Sequence, residues 1–195
     1  MNSALTFTGS PYTSFMHETK VTLSNGIELH VEIGGQPEHP AIMLIMGLGA
    51  QLLFWPDFFC KSLIDQGYRV IRFDNRDIGL SSKIRHSGPR LNTFKLMGRF
   101  ALGLENQGAP YNLYDMAEDA ALLIDHLELD NVSVLGASMG GMIAQILAAR
   151  HPHKVSNLGL MFTSNNQPLL PPPFPKQLLS LIGKPKSTDE DGIVN

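Results

Sequence analysis

The pentapeptide Gly136-Ala137-Ser138-Met139-Gly140 constrains this chain more than any other stretch. A short apolar run, Val132-Ser133-Val134-Leu135, precedes it and reads as a buried strand; Gly141 to Arg150 follows and reads as an amphipathic helix. A G-x-S-x-G pattern at a strand-to-helix junction makes a sharp, strained turn that exposes the serine hydroxyl. Only small neighbours fit around so tight a bend, and glycines at 136 and 140 supply that room. Without the flanking strand and helix the pattern would be commonplace, so the setting carries the inference. Ser138 is the candidate nucleophile.

The segments before the pentapeptide show what surrounds it. Residues 1–16 read as a loose leader. Glu18 to Leu23 and Ile27 to Ile33 alternate apolar and polar positions about Asn25-Gly26, a hairpin signal, and are expected at the edge of a larger sheet. His17, His30 and His39 in this region are expected at surface or edge positions. Ala41 to Met46 is apolar without alternation, as in a strand covered on both faces, and empties into Gly47-Leu48-Gly49-Ala50, read as a flexible loop. Trp55 to Gln66 reads as a helix with Trp55, Phe58, Phe59, Leu63 and Ile64 inward and Gly67 ending it.

A strand at Tyr68 to Phe73 leads into the turn Asp74 to Ser82. The spacing of Leu91, Phe94, Met97, Phe100, Ala101 and Leu104 predicts an amphipathic helix that packs over the core, with a place beside a substrate entrance as the alternative. A helix from Tyr111 to Leu127 carries acids in its first turns, so Asp115 and Asp119 read as helix-terminal or surface carboxylates. After Pro152 stops the helix that follows Ser138, Val155 to Phe162 makes a further strand. Alternating strands and helices of this kind give an α/β fold: a mostly parallel sheet with helices on both faces. From Thr163 the prolines at 168, 171–173 and 175 forbid regular helix or interior strand; a short helical piece, Lys176 to Ile182, and a polar tail complete the chain.

Composition excludes several classes. The 195 residues are 43% hydrophobic, enough for a substantial core in one domain. A net charge of −3 with no Lys/Arg block gives no reason to expect a nucleic-acid partner. One cysteine, Cys60, rules out an intrachain disulfide and, lacking metal-ligand spacing, reads as a helix packing residue in a reducing compartment. The first residues lack a basic-then-apolar signal, and no apolar run is long enough to span a bilayer. A cytoplasmic protein with no metal, cofactor or membrane partner is expected.

Three stretches carry a family resemblance: Met46-Gly47-Leu48-Gly49, the turn Phe73-Asp74-Asn75-Arg76-Asp77-Ile78-Gly79-Leu80-Ser81, and Gly136 to Gly141. With the helix start Tyr114-Asp115-Met116-Ala117, they make residues 18–186 resemble the α/β-hydrolase fold, and within it the bacterial esterases that include aclacinomycin methylesterase. The resemblance implies that residues 1–162 form the N-terminal part of the hydrolase core and 163–195 the start of a cap. It implies Ser138 as nucleophile and the backbone N–H groups of Leu48 and Met139 as an oxyanion hole. A serine rather than an aspartate at 138 sets the chain apart from the dehalogenase and epoxide-hydrolase branches.

The fold's catalytic order is Ser, then Asp or Glu, then His. No histidine follows His153, and the later acids, Asp189, Glu190 and Asp191, lie in the polar tail; His151 and His153 sit at the far end of the helix from Ser138. The chain therefore either lacks strands, Asp and His that lie beyond Asn195, on the same or a second polypeptide, or is a natural non-catalytic product; the first is the expectation. The leading function is a serine hydrolase cleaving a small ester through an acyl-enzyme. The alternatives are an aminopeptidase or carbon–carbon bond hydrolase, and a ligand-binding protein on the same scaffold.

Overall fold

Apolar runs without alternation need cover on both faces, and they lie in the interior of the sheet. The computed structural model describes residues 15–84 and 109–165. Among these residues six strands form one sheet: β1 (Met16–Thr22), β2 (Glu28–Gly34), β3 (Ala41–Ile45), β4 (Arg69–Phe73), β5 (Val132–Ala137) and β6 (Val155–Met161). Their order is β1-β2-β4-β3-β5-β6. β4, β3, β5 and β6 are parallel, while β2 is antiparallel to both β1 and β4. The Asn25-Gly26 turn closes the β1–β2 hairpin, with Gly26 at φ +83° as a glycine there allows.

Register sets up the site. Ile45 lies opposite Phe73 on one side and Gly136 on the other, so β3, β4 and β5 end level and release their loops at one sheet edge. In open α/β sheets that carboxyl edge is where ligands bind.

Pleating sends alternate side chains to opposite faces. Met43, Ile45, Ile71, Phe73 and Val134 pack against α2 (Leu113–His126) and α3 (Met139–Arg150). Leu44, Val70 and Ala137 face the other way, against Trp55 and against Cys60 of α1 (Asp57–Asp65). The mostly parallel sheet with helices on both faces is thus present.

Several local expectations need correction. Met16 begins β1 instead of closing a leader. β2 is an interior strand, because β4 pairs its outer side, and His30 on it is buried. The α1 helix starts at Asp57, since Pro56 fits only at a helix's beginning; Trp55 therefore packs from outside the helix. That phase turns Cys60 inward and leaves Phe58 77% exposed, not inward. α2 starts at Leu113, capped reciprocally by Asn112 and Asp115. Asp119, expected on the surface, is buried against Arg76. α3 is apolar on most of its circumference, because it lies between the sheet and α2. The expected leader up to residue 14, the helix at 91–104, the proline-rich stretch, the 176–182 helix and the tail lie outside the described residues.

Candidate active site

β5 ends at Ala137 and α3 begins at Met139, so one residue, Ser138, makes the turn between them. It does so at φ +53°, ψ −122°, a conformation that costs a non-glycine residue on the order of 1–3 kcal/mol. The surroundings hold it there. Its N–H donates to the Met161 carbonyl at 3.0 Å, and its own carbonyl accepts from Gly141 N–H at 2.9 Å and Thr163 Oγ1 at 2.6 Å. A Cβ at Gly136 would lie 2.4 Å from Gly140 O, and one at Gly140 would lie 2.1 Å from Ile45 O. Both positions therefore accept only glycine, and the second brings the start of α3 against the end of β3.

The loop after β3 meets the turn closely. A Cβ built on Gly47 would stand 3.0 Å from Ser138 Cβ and 3.4 Å from its Oγ, so the loop backbone passes directly over the serine. Leu48 is the next residue, and Met139 opens α3 beside the hydroxyl. Among the described residues, neither the Leu48 nor the Met139 N–H donates a hydrogen bond, and Ser138 Oγ has no hydrogen-bond partner. The arrangement presents a half-buried hydroxyl, two uncommitted amides and a helix N-terminus, which favours negative charge.

The loop, read from sequence as flexible, is tied down by the turn after β4. Asn75 Nδ2 donates to the Met46 carbonyl at 3.0 Å, and Asp74 Oδ1 accepts from Leu52 N–H at 2.7 Å. Asp74 Oδ2 accepts from Leu80 N–H at 3.0 Å and contacts His30 Nδ1 at 3.0 Å. His30 Nε2 reaches Glu18 Oε1 at 2.8 Å, and Ser81 Oγ donates to Asp74 O while accepting from His30 N–H. Gly79, at φ +47°, passes so close that a Cβ would sit 1.9 Å from Asp74 Oδ2.

Burial acts to raise the Asp74 pKa, but the hydrogen bonds from His30, Leu52 and Leu80 outweigh it and leave the carboxyl below its usual value. Burial likewise pulls His30 down, and the Asp74 and Glu18 carboxylates overcome it, so His30 stays protonated to higher pH than a free imidazole. Two residues along, Arg76 clamps Asp119 through Nε and Nη2, both at 2.6 Å, and its guanidinium lies 5.1 Å from the centre of the Tyr111 ring. Among the described residues no group of three or more His, Cys, Asp or Glu side chains could hold a metal ion.

The family profile described as alpha/beta hydrolase fold matches residues 40–195. The chain belongs to that family. Rhodomycin D methylesterase of Streptomyces peucetius is 30% identical over 143 residues, covering 73% of this α/β-hydrolase chain and 41% of the methylesterase. Among solved structures, a bacterial membrane phospholipase A is 29% identical with TM-score 0.60, over 76% of this chain and 40% of that one. The enol-lactonase of Burkholderia xenovorans is 27% identical with TM-score 0.54, over 70% of this chain and 43% of that one. This α/β-hydrolase chain spans about two fifths of the length of the curated relatives it matches.

The structure brings together Ser138, Met139, Gly136, Gly140 and the loop bearing Leu48. Two histidines are engaged elsewhere: His30 is held between Glu18 and Asp74, and His151 pairs with Glu118 at the far end of α3. Sequence reasoning missed Asp74 and Asn75 as supports of the loop. The signal was their place directly after β4, at the same sheet edge as Gly47, with Gly79 and Ser81 folding the turn back onto Asp74. Among the described residues no helix is long and apolar enough to cross a membrane.

Proposed function

We propose that the complete protein is a serine hydrolase that cleaves a small ester through an acyl-enzyme on Ser138. The observation that carries the proposal is the strained Ser138, whose side chain lies close to the Gly47 backbone at the start of α3. Attack of Oγ on an ester carbonyl moves negative charge onto the carbonyl oxygen. The Leu48 and Met139 N–H groups would donate hydrogen bonds to that oxygen, and loss of one such donor in an oxyanion hole costs about 2.7–4 kcal/mol. Ser138 also needs a base to take its proton, held in turn by a carboxylate. Both are proposed to come from residues beyond Asn195, on the same or a second polypeptide, along with the rest of a core begun by residues 1–162 and of a cap begun by 163–195. The family membership and the esterase and lactonase relatives favour an ester over other acyl substrates, and a cytoplasmic site of action belongs to the same proposal.

The test is a fluorophosphonate probe on the complete gene product. Labelling is expected in the native protein and absent in Ser138→Ala; labelling that survives the substitution overturns the proposal. An aminopeptidase or carbon–carbon bond hydrolase would use the same nucleophile, and turnover of peptide or β-diketone substrates in preference to esters would select it. One observation favours a different reading: Ser138 Oγ has no base among the described residues, as in a ligand-binding protein that keeps the pocket without the chemistry. A folded 195-residue species that binds an ester analogue without hydrolysing it would decide for the binder.

A further inference from the structure

The segment Gly47–Gln51 carries one of the two amides assigned to the oxyanion, yet no strand or helix fixes it. An Ala50 N–H to Gly47 carbonyl contact of 3.3 Å closes a turn within it, and Gly49 adopts φ +71°. What fixes it from outside is two consecutive side chains. Asn75 holds the carbonyl of Met46, immediately before Gly47, and Asp74 holds the N–H of Leu52, immediately after Gln51. Both residues are 2% exposed, and both bonds have ordinary lengths of 3.0 and 2.7 Å. Each acts on a backbone group with no ladder partner: β3 ends at Ile45 and the 3₁₀ turn begins only at Leu52.

Resting on the serine-hydrolase reading above, we propose that Asp74 and Asn75 are positioning residues for the oxyanion site, fixing the Leu48 amide over Ser138 by gripping its loop at both ends. The Asn75 contact is the more direct, because the Met46 carbonyl and the Leu48 N–H are separated by Gly47 alone. The Met46–Gly47 peptide plane is restrained while its carbonyl is held, which narrows the directions open to the Gly47–Leu48 amide one residue on. Released, the loop still runs beside the turn, where Gly47 leaves no more than the space of a Cβ before Ser138. Substrate therefore still binds, but the donor no longer meets the developing oxyanion squarely. Misplacement of such a group by about 1 Å costs on the order of 100-fold in rate.

The test uses the complete gene product and a chromogenic ester. Asn75→Ala is expected to lower kcat about 10- to 100-fold with KM within about 3-fold of native, and to weaken a boronic-acid transition-state analogue by the same factor as kcat/KM. Asn75→Asp, nearly isosteric but without the donor, should behave alike, whereas Asn75→Ser, which keeps a donor, should recover part of the loss. Arg76→Lys, in the same turn but directed to Asp119, should lower the melting temperature and leave kcat unchanged. If Asn75→Ala does not fold, the Asn75→Asp and Asn75→Ser pair carries the same comparison.

A folded Asn75 variant with native kcat, or one whose loss lies only in KM, overturns the proposal. Fluorophosphonate labelling in the same preparations separates the two failures. Labelling that survives Ser138→Ala removes the hydrolase reading itself. Ser138-dependent labelling with native turnover in Asn75→Ala removes only the positioning role.

Discussion

Arg72 and Asp74 stand two residues apart on one strand and its exit, both buried and both charged, yet they fasten different things. Arg72 donates from Nε and Nη2 to Glu32 Oε2 at 2.9 and 2.6 Å, from Nη2 to Asp57 at 2.8 Å, and from Nη1 to the Trp55 carbonyl. Its partners are a strand and the start of α1, so it joins the sheet to a covering helix. Asp74 accepts from backbone amides of the loops after β3 and β4 and from His30. Its partners are the irregular segments around Ser138. Regular elements are already held by ladders and apolar packing, so a charge buried there adds to the fold. Loops have neither, and a charge buried there decides their shape. The comparison teaches that two neighbouring buried charges, one on a strand and one at its exit, can hold regular elements and irregular segments respectively.

Removal of Arg72 gives the largest expected effect. Arg72→Met leaves Glu32, itself 4% exposed, as a buried charge without its partner. Breaking a buried pair in this way costs about 3–5 kcal/mol, read as a fall in the urea midpoint, while kcat of the folded fraction stays native. Glu32→Met added to Arg72→Met should recover most of the loss, because an apolar pair needs no desolvation. A fall in kcat with either variant would erase the distinction between the two charges. On the site side, Gly79→Ala drives a Cβ into Asp74 Oδ2 at a positive φ. It is expected to cost about 1–3 kcal/mol and, unlike Arg72→Met, to lower kcat/KM at least tenfold.

Ser138→Gly sharpens the same contrast with a smaller effect of opposite sign. Glycine relieves the strain at φ +53°, worth on the order of 1–3 kcal/mol, and loses about 0.5–1 kcal/mol to its freer unfolded chain. A net gain of about 1 kcal/mol in denaturant unfolding is expected, with hydrolysis abolished. A serine placed there only for packing would show no such trade.

Legibility from sequence divides along the same line. The parallel strands could be read because an apolar run such as Ala41 to Ile45 needs nothing remote to explain it. The turn at Ser138 could be read because its glycine pattern sits in one short stretch between strand and helix, although Gly140 is needed for the approach to Ile45 on β3 as well. Asp119 and His30 were misread, since an acid in a helix or a histidine in an alternating strand looks solvent-facing. Only the fold brings Arg76 from the turn after β4 to Asp119, or Asp74 and Glu18 to the two nitrogens of His30. On the inner side expected for α1, Trp55, Phe59, Leu63 and Ile64 do pack inward, and Phe58 alone does not, because the helix phase set by Pro56 turns Cys60 inward in its place. Asp74 and Asn75 were legible as part of a motif but not as loop supports, since each acts across more than twenty residues of chain.

The smallest expected effect concerns pH, where the two charges should differ in kind. Arg72 keeps its proton throughout the accessible range: burial alone would lower its pKa, and Glu32 and its other partners more than reverse that. Its contribution should follow no titration of its own. His30 is different, because its pKa in the folded protein lies above the ordinary 6.5. Protonated His30 thus binds more favourably in the folded than in the unfolded chain, and its contribution is fully present below pH 6.5. As pH rises through the raised folded value the proton leaves, and the contribution is lost. Asp74 works the other way: its depressed pKa supplies stability above 3.8 that disappears as pH falls through the folded value. Urea midpoints measured from acid to alkaline pH should therefore decline on both sides. His30→Gln should remove the alkaline decline and retain an acid one, since the Leu52 and Leu80 amides still hold Asp74. If the alkaline decline survives in His30→Gln, the imidazole is not the titrating support of the Asp74 cluster, and both charges are pH-independent there.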